Sequence, residues 1–449
     1  MKTGGARPGS DRGLDIAVIG SGISGLSTAW LLSTRHRVSL FETDRRLGGH
    51  SNTRTAGGVA VDTGFIVYNE ATYPNLAALF SHIGVPTSPS DMSFAVSLDG
   101  GRLEYSGTGF GGLLAQPANV VRPRFWRMMR ELLRFYREAP LEVARIGEAS
   151  LAEYLDAKGY GDAFRDDHLY PMAAAIWSTP AAQVGNYPAA AFIRFCANHG
   201  LLQLAGRPVW RTVDGGSREY VKRLADRVAG NVFPGRGIRS VARRGGSVWL
   251  TDIDGDEQRF DHVVIATHAD QALGLLADPG HEEARLLGSF SYSRNAAVLH
   301  GDQRLMPRRR RAWSSWNYLS DGQGETRKLS VTYWMNRLQS LPGDRHLFVT
   351  LNPAAEPDPA TVYHRETYEH PVFDVAAMRA QRQLWSLQGA RNTWFCGAYF
   401  GAGFHEDGLQ TGLAVAEALG GVRRPWTVRD ESGRIHLPAS APHDERVAA

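Results

Sequence analysis

Asp15-Ile16-Ala17-Val18-Ile19-Gly20-Ser21-Gly22-Ile23-Ser24-Gly25 joins a short apolar strand to a helix through three glycines at G-x-G-x-x-G spacing. Gly20 permits the tight turn, Gly22 lets backbone approach a pyrophosphate, and Gly25 lets the following helix, Leu26 to Leu32, pack close to the sheet. Phosphates bound there meet the positive end of that helix, against the backbone of Ser21, Ile23 and Ser24. The second strand follows on schedule as Arg37-Val38-Ser39-Leu40-Phe41. It ends in Glu42, beside Thr43, where a carboxylate accepts both hydroxyls of an adenosine ribose. The strand, helix and acidic residue together read as a dinucleotide cradle.

Five residues after Glu42 comes Gly48-Gly49, then His50-Ser51-Asn52-Thr53, a second stretch of bare backbone for the pyrophosphate. This E-x5-G-G continuation resembles the flavin-containing amine oxidases and the phytoene-desaturase-like enzymes, and the resemblance implies FAD. Two remote segments match the same superfamily. Phe260-Asp261-His262-Val263-Val264-Ile265-Ala266-Thr267 reads as one buried strand ending in Ala266-Thr267, and the backbone near Ile238 is where relatives meet the adenine. Asn392-Thr393-Trp394-Phe395-Cys396-Gly397 reads as a strand entering a glycine-rich loop, followed by an amphipathic helix from Gly408 and Leu409 to Leu419. The N-terminus of that helix is expected at the flavin ring. Asp407 is expected on the flavin, on its ribityl chain or as the helix cap. Asp62, in Val61-Asp62-Thr63-Gly64, is expected to fix the cofactor loop, with Gly64 giving access to the flavin.

The implied fold class is α/β: a discontinuous Rossmann-like FAD-binding domain (residues 15–90, 207–275 and 390–421) interleaved with an α+β substrate domain (91–206 and 276–389). Residues 1–14 and 422–449 read as loose tails. A chain of 449 residues with 43% hydrophobic content can bury a core of that size. Its two cysteines, Cys196 and Cys396, form no C-x-x-C, which argues against a dithiol relay. Its histidines show neither H-x-H nor H-E-x-x-H, so no metal site is expected. No stretch has the length and apolarity of a secretory signal or a membrane span, and the expected location is the cytoplasm. The net charge of +4 is mild, and no nucleic-acid motif accompanies it.

One local charge pattern is more pointed. Arg122 to Arg137 places Phe125, Met128, Met129, Leu132, Leu133 and Tyr136 on one helical face with arginines around it. The face suits the protein core, the headgroup region of a bilayer on its inner side, or a greasy substrate entrance. Arg308-Arg309-Arg310-Arg311 forms a second basic cluster. Aromatic stretches at Tyr170 to Pro180, Trp313 to Tyr318 and Thr332 to Gln339 are expected in a large, apolar substrate pocket, the latter two as strands.

The combination of Tyr170 to Pro180, Arg211 to Ser217 and Gly401 to Gly408 further resembles a bacterial branch of predicted FAD/NAD-binding, amine-oxidase-like oxidoreductases. That branch implies chemistry on lipid acyl chains. True amine oxidases place a lysine near the flavin on a substrate-domain strand, and the corresponding segment here, Tyr292 to His300, has none; Lys328 is the only lysine in the second insertion. Relatives also carry arginine where this chain has His50. The catalytic candidates are His405 and Glu406 as proton acceptor or substrate anchor, with Tyr399 and Phe404 as aromatic walls. The expected activity is FAD-dependent dehydrogenation or desaturation of a hydrophobic, lipid or fatty-acyl substrate. The alternatives are an amine oxidase and a structural FAD-binding scaffold of a lipid-modifying complex.

Overall fold

Asp15–Ile19 and Arg37–Glu42 pair in parallel, as the cradle motif requires, and three remote segments complete the sheet. The five-stranded order is Val232–Pro234, Arg37–Glu42, Asp15–Ile19, His262–Ile265 and Thr393–Phe395, every pairing parallel. Ile16, Ala17, Val18, Val263 and Val264 are fully buried, as strands covered on both faces must be. The computed structural model describes residues 13–177, 184–198, 200–203, 206–228, 231–321 and 328–438. It divides into two compact units, with boundaries at Gly49/His50, Tyr220/Val221, Ser289/Phe290 and Arg379/Ala380.

In the first unit the expected strand Phe260 to Thr267 is broken. The Asp15 backbone N–H donates to the Asp261 carboxylate at 2.9 Å, and the Asp261 N–H donates to the Asp15 carbonyl at 2.8 Å. Asp261 thereby turns the chain out of a small antiparallel sheet (Ile238–Arg244, Ser247–Asp252, Glu257–Phe260) into the parallel strand His262–Ile265. The first helix spans Ile23–Leu32, starting earlier than Leu26, and every residue in it is buried. It is buried because the C-terminal helix His405–Gly420 lies against it through small residues. A Cβ on Gly412 would stand 2.4 Å from the Ser24 carbonyl oxygen, and the Thr28 hydroxyl donates to the Gly412 carbonyl at 2.9 Å. Residues 422–438, read from sequence as a loose tail, are anchored instead. Arg424 is buried against Glu417, Trp426 stacks on Trp30 with centroids 5.8 Å apart, and Ile435 is buried.

The second unit is built on a seven-stranded sheet, ordered Val362–Val372, Ser291–His300, Phe348–Leu351, Lys328–Trp334, Trp316–Asp321, Phe94–Leu98, Leu103–Ser106. All pairings are antiparallel except Trp316–Asp321 with Phe94–Leu98. Residues 50–90 and 207–220, assigned by sequence to the cofactor domain, fall in this unit. The hairpin Thr53–Ala56/Val59–Asp62 is bonded through Asp62 to Ser217, and Val67–Asn69, Trp210–Val213 and Thr87–Ser90 form one small sheet. The aromatic stretches are packed as core: Tyr318 and Tyr333 lie in the main cluster, and Trp313 sits with Phe348, Met306 and Trp334 in a satellite. Trp313 to Ser315 precede the strand, and Met335–Leu338 form a helical turn, so only part of each stretch is extended. Tyr170–Trp177 is helical, and Ser178, Thr179 and Pro180 lie outside the described residues. The helix Pro123–Glu142 turns Phe125, Met128, Leu132 and Phe135 into the core; Leu133 faces outward, because the buried face advances from Leu132 to Phe135.

Inside that core a buried histidine is held by two tyrosines. The Tyr105 hydroxyl donates to the Asp167 carbonyl at 2.7 Å and lies 3.0 Å from His168 Nδ1, while the Tyr136 hydroxyl lies 3.2 Å from Nε2. With Tyr105 already donating elsewhere, Nδ1–H donates to Tyr105 and Nε2 accepts from Tyr136, which defines a neutral imidazole. Burial, reinforced by Arg207, pushes His168 down to about 4. The unfolded chain takes up a proton near pH 6.5 that the native imidazole refuses, so stability is complete above that pH and falls as the pH drops toward 4. One such group accounts for roughly 3 kcal/mol across that window. Urea midpoints measured from pH 7 to pH 4 are expected to fall more steeply for the parent chain than for His168→Gln; parallel curves would exclude this group as the cause.

Candidate functional site

The cradle forms at the carboxyl ends of the parallel strands. Gly20 has φ +99°, and a Cβ there would stand 2.8 Å from the Ala266 carbonyl oxygen and 3.4 Å from Thr267 Cγ2. Gly25 is more constrained: a Cβ would fall 1.9 Å from the Gly20 carbonyl oxygen. A Cβ on Gly22 would meet no protein atom within 4 Å. Gly20 and Gly25 are therefore required by packing, and Gly22 leaves its space open for a ligand. Gly22 also caps the helix whose first N–H groups have no intrahelical partner, a site for anions. Gly49, at φ +56°, would bring a Cβ to 3.2 Å from Gly22 Cα, so the second glycine pair lies against the first loop. The Gly48 N–H donates to the Ser21 carbonyl at 3.1 Å.

Glu42 is positioned by the same loop. Its Oε2 accepts from the Ser21 N–H at 2.9 Å and the Ser21 hydroxyl at 2.6 Å, and its Oε1 accepts from the Asp44 N–H at 3.0 Å. A carboxylate has about four acceptor positions, so beyond these three bonds one remains for a single ribose hydroxyl, fewer than the two expected from sequence. Gly237 runs beside the strand end, where a Cβ would stand 2.9 Å from Thr43 Oγ1, and Ile238 follows it as the first residue of its strand. An open space at Gly22, an unshielded helix N-terminus and a fixed carboxylate are what a dinucleotide needs.

The C-terminal helix begins at His405, not Gly408. Asp407 explains the difference: its Oδ2 accepts from the Phe404 N–H at 2.7 Å and its Oδ1 from Arg434 Nε at 2.6 Å. Of the roles expected for Asp407, the helix cap is the one its bonds make, and His405 and Glu406 become its first-turn residues. Gly408 seats this end of the helix on the first one, where a Cβ would stand 3.0 Å from Ile23 Cγ2 and 3.1 Å from Ser24 Oγ, and Leu409 is fully buried beside it. Glu406 is buried and accepts from Gln410 at 3.0 Å. His405 is half-buried, and desolvation pushes it down to about 3, so at neutral pH it is an uncharged hydrogen-bonding group and a weak base. Tyr399 is buried in the turn Ala398–Phe400, its ring against Gly397 and its carbonyl accepting from Gln381 at 2.8 Å.

Four sequence-predicted cofactor residues lie in the second unit. The Ser51 hydroxyl bonds the Tyr220 hydroxyl, and the His50 ring lies beside Tyr368 and His370. Gly64 has a packing reason to be glycine, since a Cβ would stand 2.1 Å from the His50 carbonyl oxygen. Both oxygens of Asp62 are taken by protein donors: Thr53 Oγ1 at 2.6 Å, Ser217 Oγ at 2.8 Å, the Ser217 N–H at 3.0 Å and Gln339 Nε2 at 2.9 Å. Burial pushes this carboxyl up to about 6 against those bonds. Sequence reasoning missed Arg434 and Gln381, which hold the first turn of the C-terminal helix and the loop before it; neither sits in a motif. Cys196 and Cys396 are buried and unpaired, and among the described residues no group of acidic, histidine and cysteine side chains could hold a metal.

Comparison with known proteins fits this geometry. A family model for flavin-containing amine oxidoreductases matches residues 23–304. The chain is 25% identical over 273 residues to a Mycobacterium tuberculosis protein named as flavin-containing monoamine oxidase AofH, spanning 59% of each chain. It is 26% identical over 190 residues to the 15-cis-phytoene desaturase of Narcissus pseudonarcissus, spanning 38% of this chain and 32% of that one. Among solved structures, wild-type putrescine oxidase bound to putrescine superposes with a TM-score of 0.65 at 15% identity, covering 90% of this chain and 98% of that one.

Two contrasts test the site. Gly22→Leu is expected to fold with an unchanged far-ultraviolet spectrum but to purify without visible flavin absorbance, because its side chain enters ligand space. Gly25→Ala is expected to lower the melting temperature, since its methyl group collides with backbone. A yellow Gly22→Leu protein would place the cradle elsewhere. Arg434→Ala removes the partner of a buried carboxylate and is expected to weaken flavin retention during dialysis at least several-fold; retention equal to the parent would show that the pair is irrelevant to the site.

Proposed function

The chain belongs to the flavin-containing amine oxidoreductase family, and on that footing we propose that it dehydrogenates or desaturates a hydrophobic, lipid or fatty-acyl substrate. The family makes it a flavin-dependent oxidoreductase that binds FAD. Bound FAD supplies a two-electron acceptor for a substrate C–H bond. The residues suited to hold it are the Gly20–Gly25 loop, Glu42, Gly48, Gly49 and the first turn of His405–Gly420, with Ala266, Thr267, Ile238 and Gly397 around them.

The observation that carries the substrate reading is that both carboxylates at the start of the C-terminal helix are buried and bonded within the protein, Glu406 to Gln410 and Asp407 to Arg434. His405 is neutral, Tyr399 is buried, and Asp407 is committed to Arg434 and a backbone N–H. The strand Ser291–His300 carries no lysine, the residue that the resemblance to amine oxidases leads one to expect there. An ammonium substrate wants a carboxylate, and an uncharged chain wants neutral, apolar surroundings. The match to a named phytoene desaturase favours carbon–carbon dehydrogenation, and the match to a named monoamine oxidase keeps C–N oxidation as the alternative. In this reading His405 orients the substrate as an uncharged hydrogen-bonding group, Glu406 takes the proton that accompanies hydride removal, and Tyr399 helps to exclude water.

Purified protein incubated with bacterial phospholipids is expected to yield acyl chains lighter by two hydrogens, detected by mass spectrometry, with the yield reduced at least tenfold in His405→Ala/Glu406→Ala. Hydrogen peroxide released from putrescine or other amines, with lipid left unchanged, would instead establish the amine oxidase.

A further inference from the structure

The second unit presents an outward surface that combines apolar side chains with unpaired arginines. Along Pro123–Glu142 the residues facing away from the core include Trp126, Arg127, Arg130, Leu133, Arg137 and Leu141, at helical spacing. Trp126 is 52% exposed, Leu133 47% and Leu141 80%. The turn that leads into the helix adds Val121 at 80%, and the turn Phe110–Leu113 adds Phe110 at 86%. Among the described residues, neither Arg127 nor Arg130 forms an ion pair.

This surface is organised from beneath. Glu104 is fully buried on Leu103–Ser106, and its carboxylate accepts from the Arg308 N–H at 2.7 Å, the Arg309 N–H at 3.1 Å and Arg309 Nη1 at 2.9 Å. The carbonyl of the same residue accepts from buried Asn119 at 3.0 Å, and Asn119 also reaches the Leu113 carbonyl at 3.4 Å. One strand residue thus gathers the basic segment Arg308–Arg311, the Val120–Val121 turn and the Phe110 turn, and the turn Arg310–Ala312 packs against Phe110–Leu113. Trp126 is oriented by its indole N–H, which donates to the Val120 carbonyl at 2.8 Å; its polar edge is satisfied by the protein and its ring is left outside.

We propose that this face is a docking surface for an anionic lipid bilayer, with Phe110, Val121, Trp126 and Leu141 entering the headgroup boundary and Arg127, Arg130, Arg308 and Arg311 meeting lipid phosphates. Exposed aromatic and aliphatic side chains flanked by arginines fit an interface that is apolar below and negatively charged above. A second copy of the chain would set the same cationic stripe against itself. Nucleic acid offers the charge but no burial for Val121 and Leu141. Among the described residues no helix is long and apolar enough to cross a membrane, so attachment would be superficial. The inference uses only this outward face and does not depend on which substrate the enzyme oxidises.

Flotation of the full, flavin-loaded chain tests it, with vesicles of phosphatidylcholine alone or with about one-third phosphatidylglycerol. The parent is expected to float with the anionic vesicles and to be released as salt rises from about 0.1 M to about 1 M. Arg127→Glu/Arg130→Glu is expected to lower the bound fraction at least tenfold, and Phe110→Ser/Val121→Ser several-fold, both retaining flavin absorbance and melting temperature. If charge reversal perturbs folding, the milder Arg127→Gln/Arg130→Gln is expected to lower binding in the same direction. A parent that stays in solution with anionic vesicles, binds neutral vesicles equally, or is matched by folded variants would overturn the proposal. So would parent chain that instead self-associates through Phe110 or is held by duplex DNA in preference to vesicles.

Discussion

The approach of the first helix to the Gly20 loop is the constraint on which the cofactor unit rests. A Cβ at Gly25 would lie 1.9 Å from the Gly20 carbonyl oxygen, so only hydrogen at that position lets Ile23–Leu32 lie where it does. The same closeness continues on the helix's other side, where Gly408 and Gly412 let His405–Gly420 pack against Ile23, Ser24 and Thr28. Two helix N-termini thereby come to the carboxyl ends of a parallel sheet, the place where an open α/β sheet binds ligands. Gly22 stands between these packing glycines, and its open face separates recognition from architecture.

Much of this was legible because local chemistry dictates it. The strand Asp15–Ile19, the three glycines and Glu42 follow the spacing of a βαβ cradle, and the second glycine pair was legible through the resemblance to flavin-containing amine oxidases. What sequence could not show were pairings across long separations between residues without motifs. Asp261 looks like one polar residue inside an apolar run, yet its bonds to Asp15 split the run into two strands. Arg434 sits in an aperiodic segment, yet it meets Asp407 and moves the start of a helix by one turn. The close approach of Gly64 to the His50 carbonyl was invisible without the fold. Residues 50–90 join the second unit for a related reason, since Asp62 bonds Ser217, far along the chain.

The electrostatics of the chain divide cleanly. Groups near the proposed chemistry are neutralised by burial or committed to protein partners: His405 is pushed down to about 3, and Asp407 is tied to Arg434. In the second unit His168 is held neutral between Tyr105 and Tyr136. Among the described residues, Arg127 and Arg130 lie on the outside without an ion pair, and buried Glu104 gathers the Arg308–Arg309 backbone nearby.

The most direct measurement is an anaerobic visible absorbance scan of the flavin-loaded protein before and after adding phospholipid, with amines in a parallel cuvette. Bleaching by lipid and not by amines is the expected result. Bleaching by amines alone, with lipid leaving the oxidised spectrum intact, would contradict the assignment of a hydrophobic substrate.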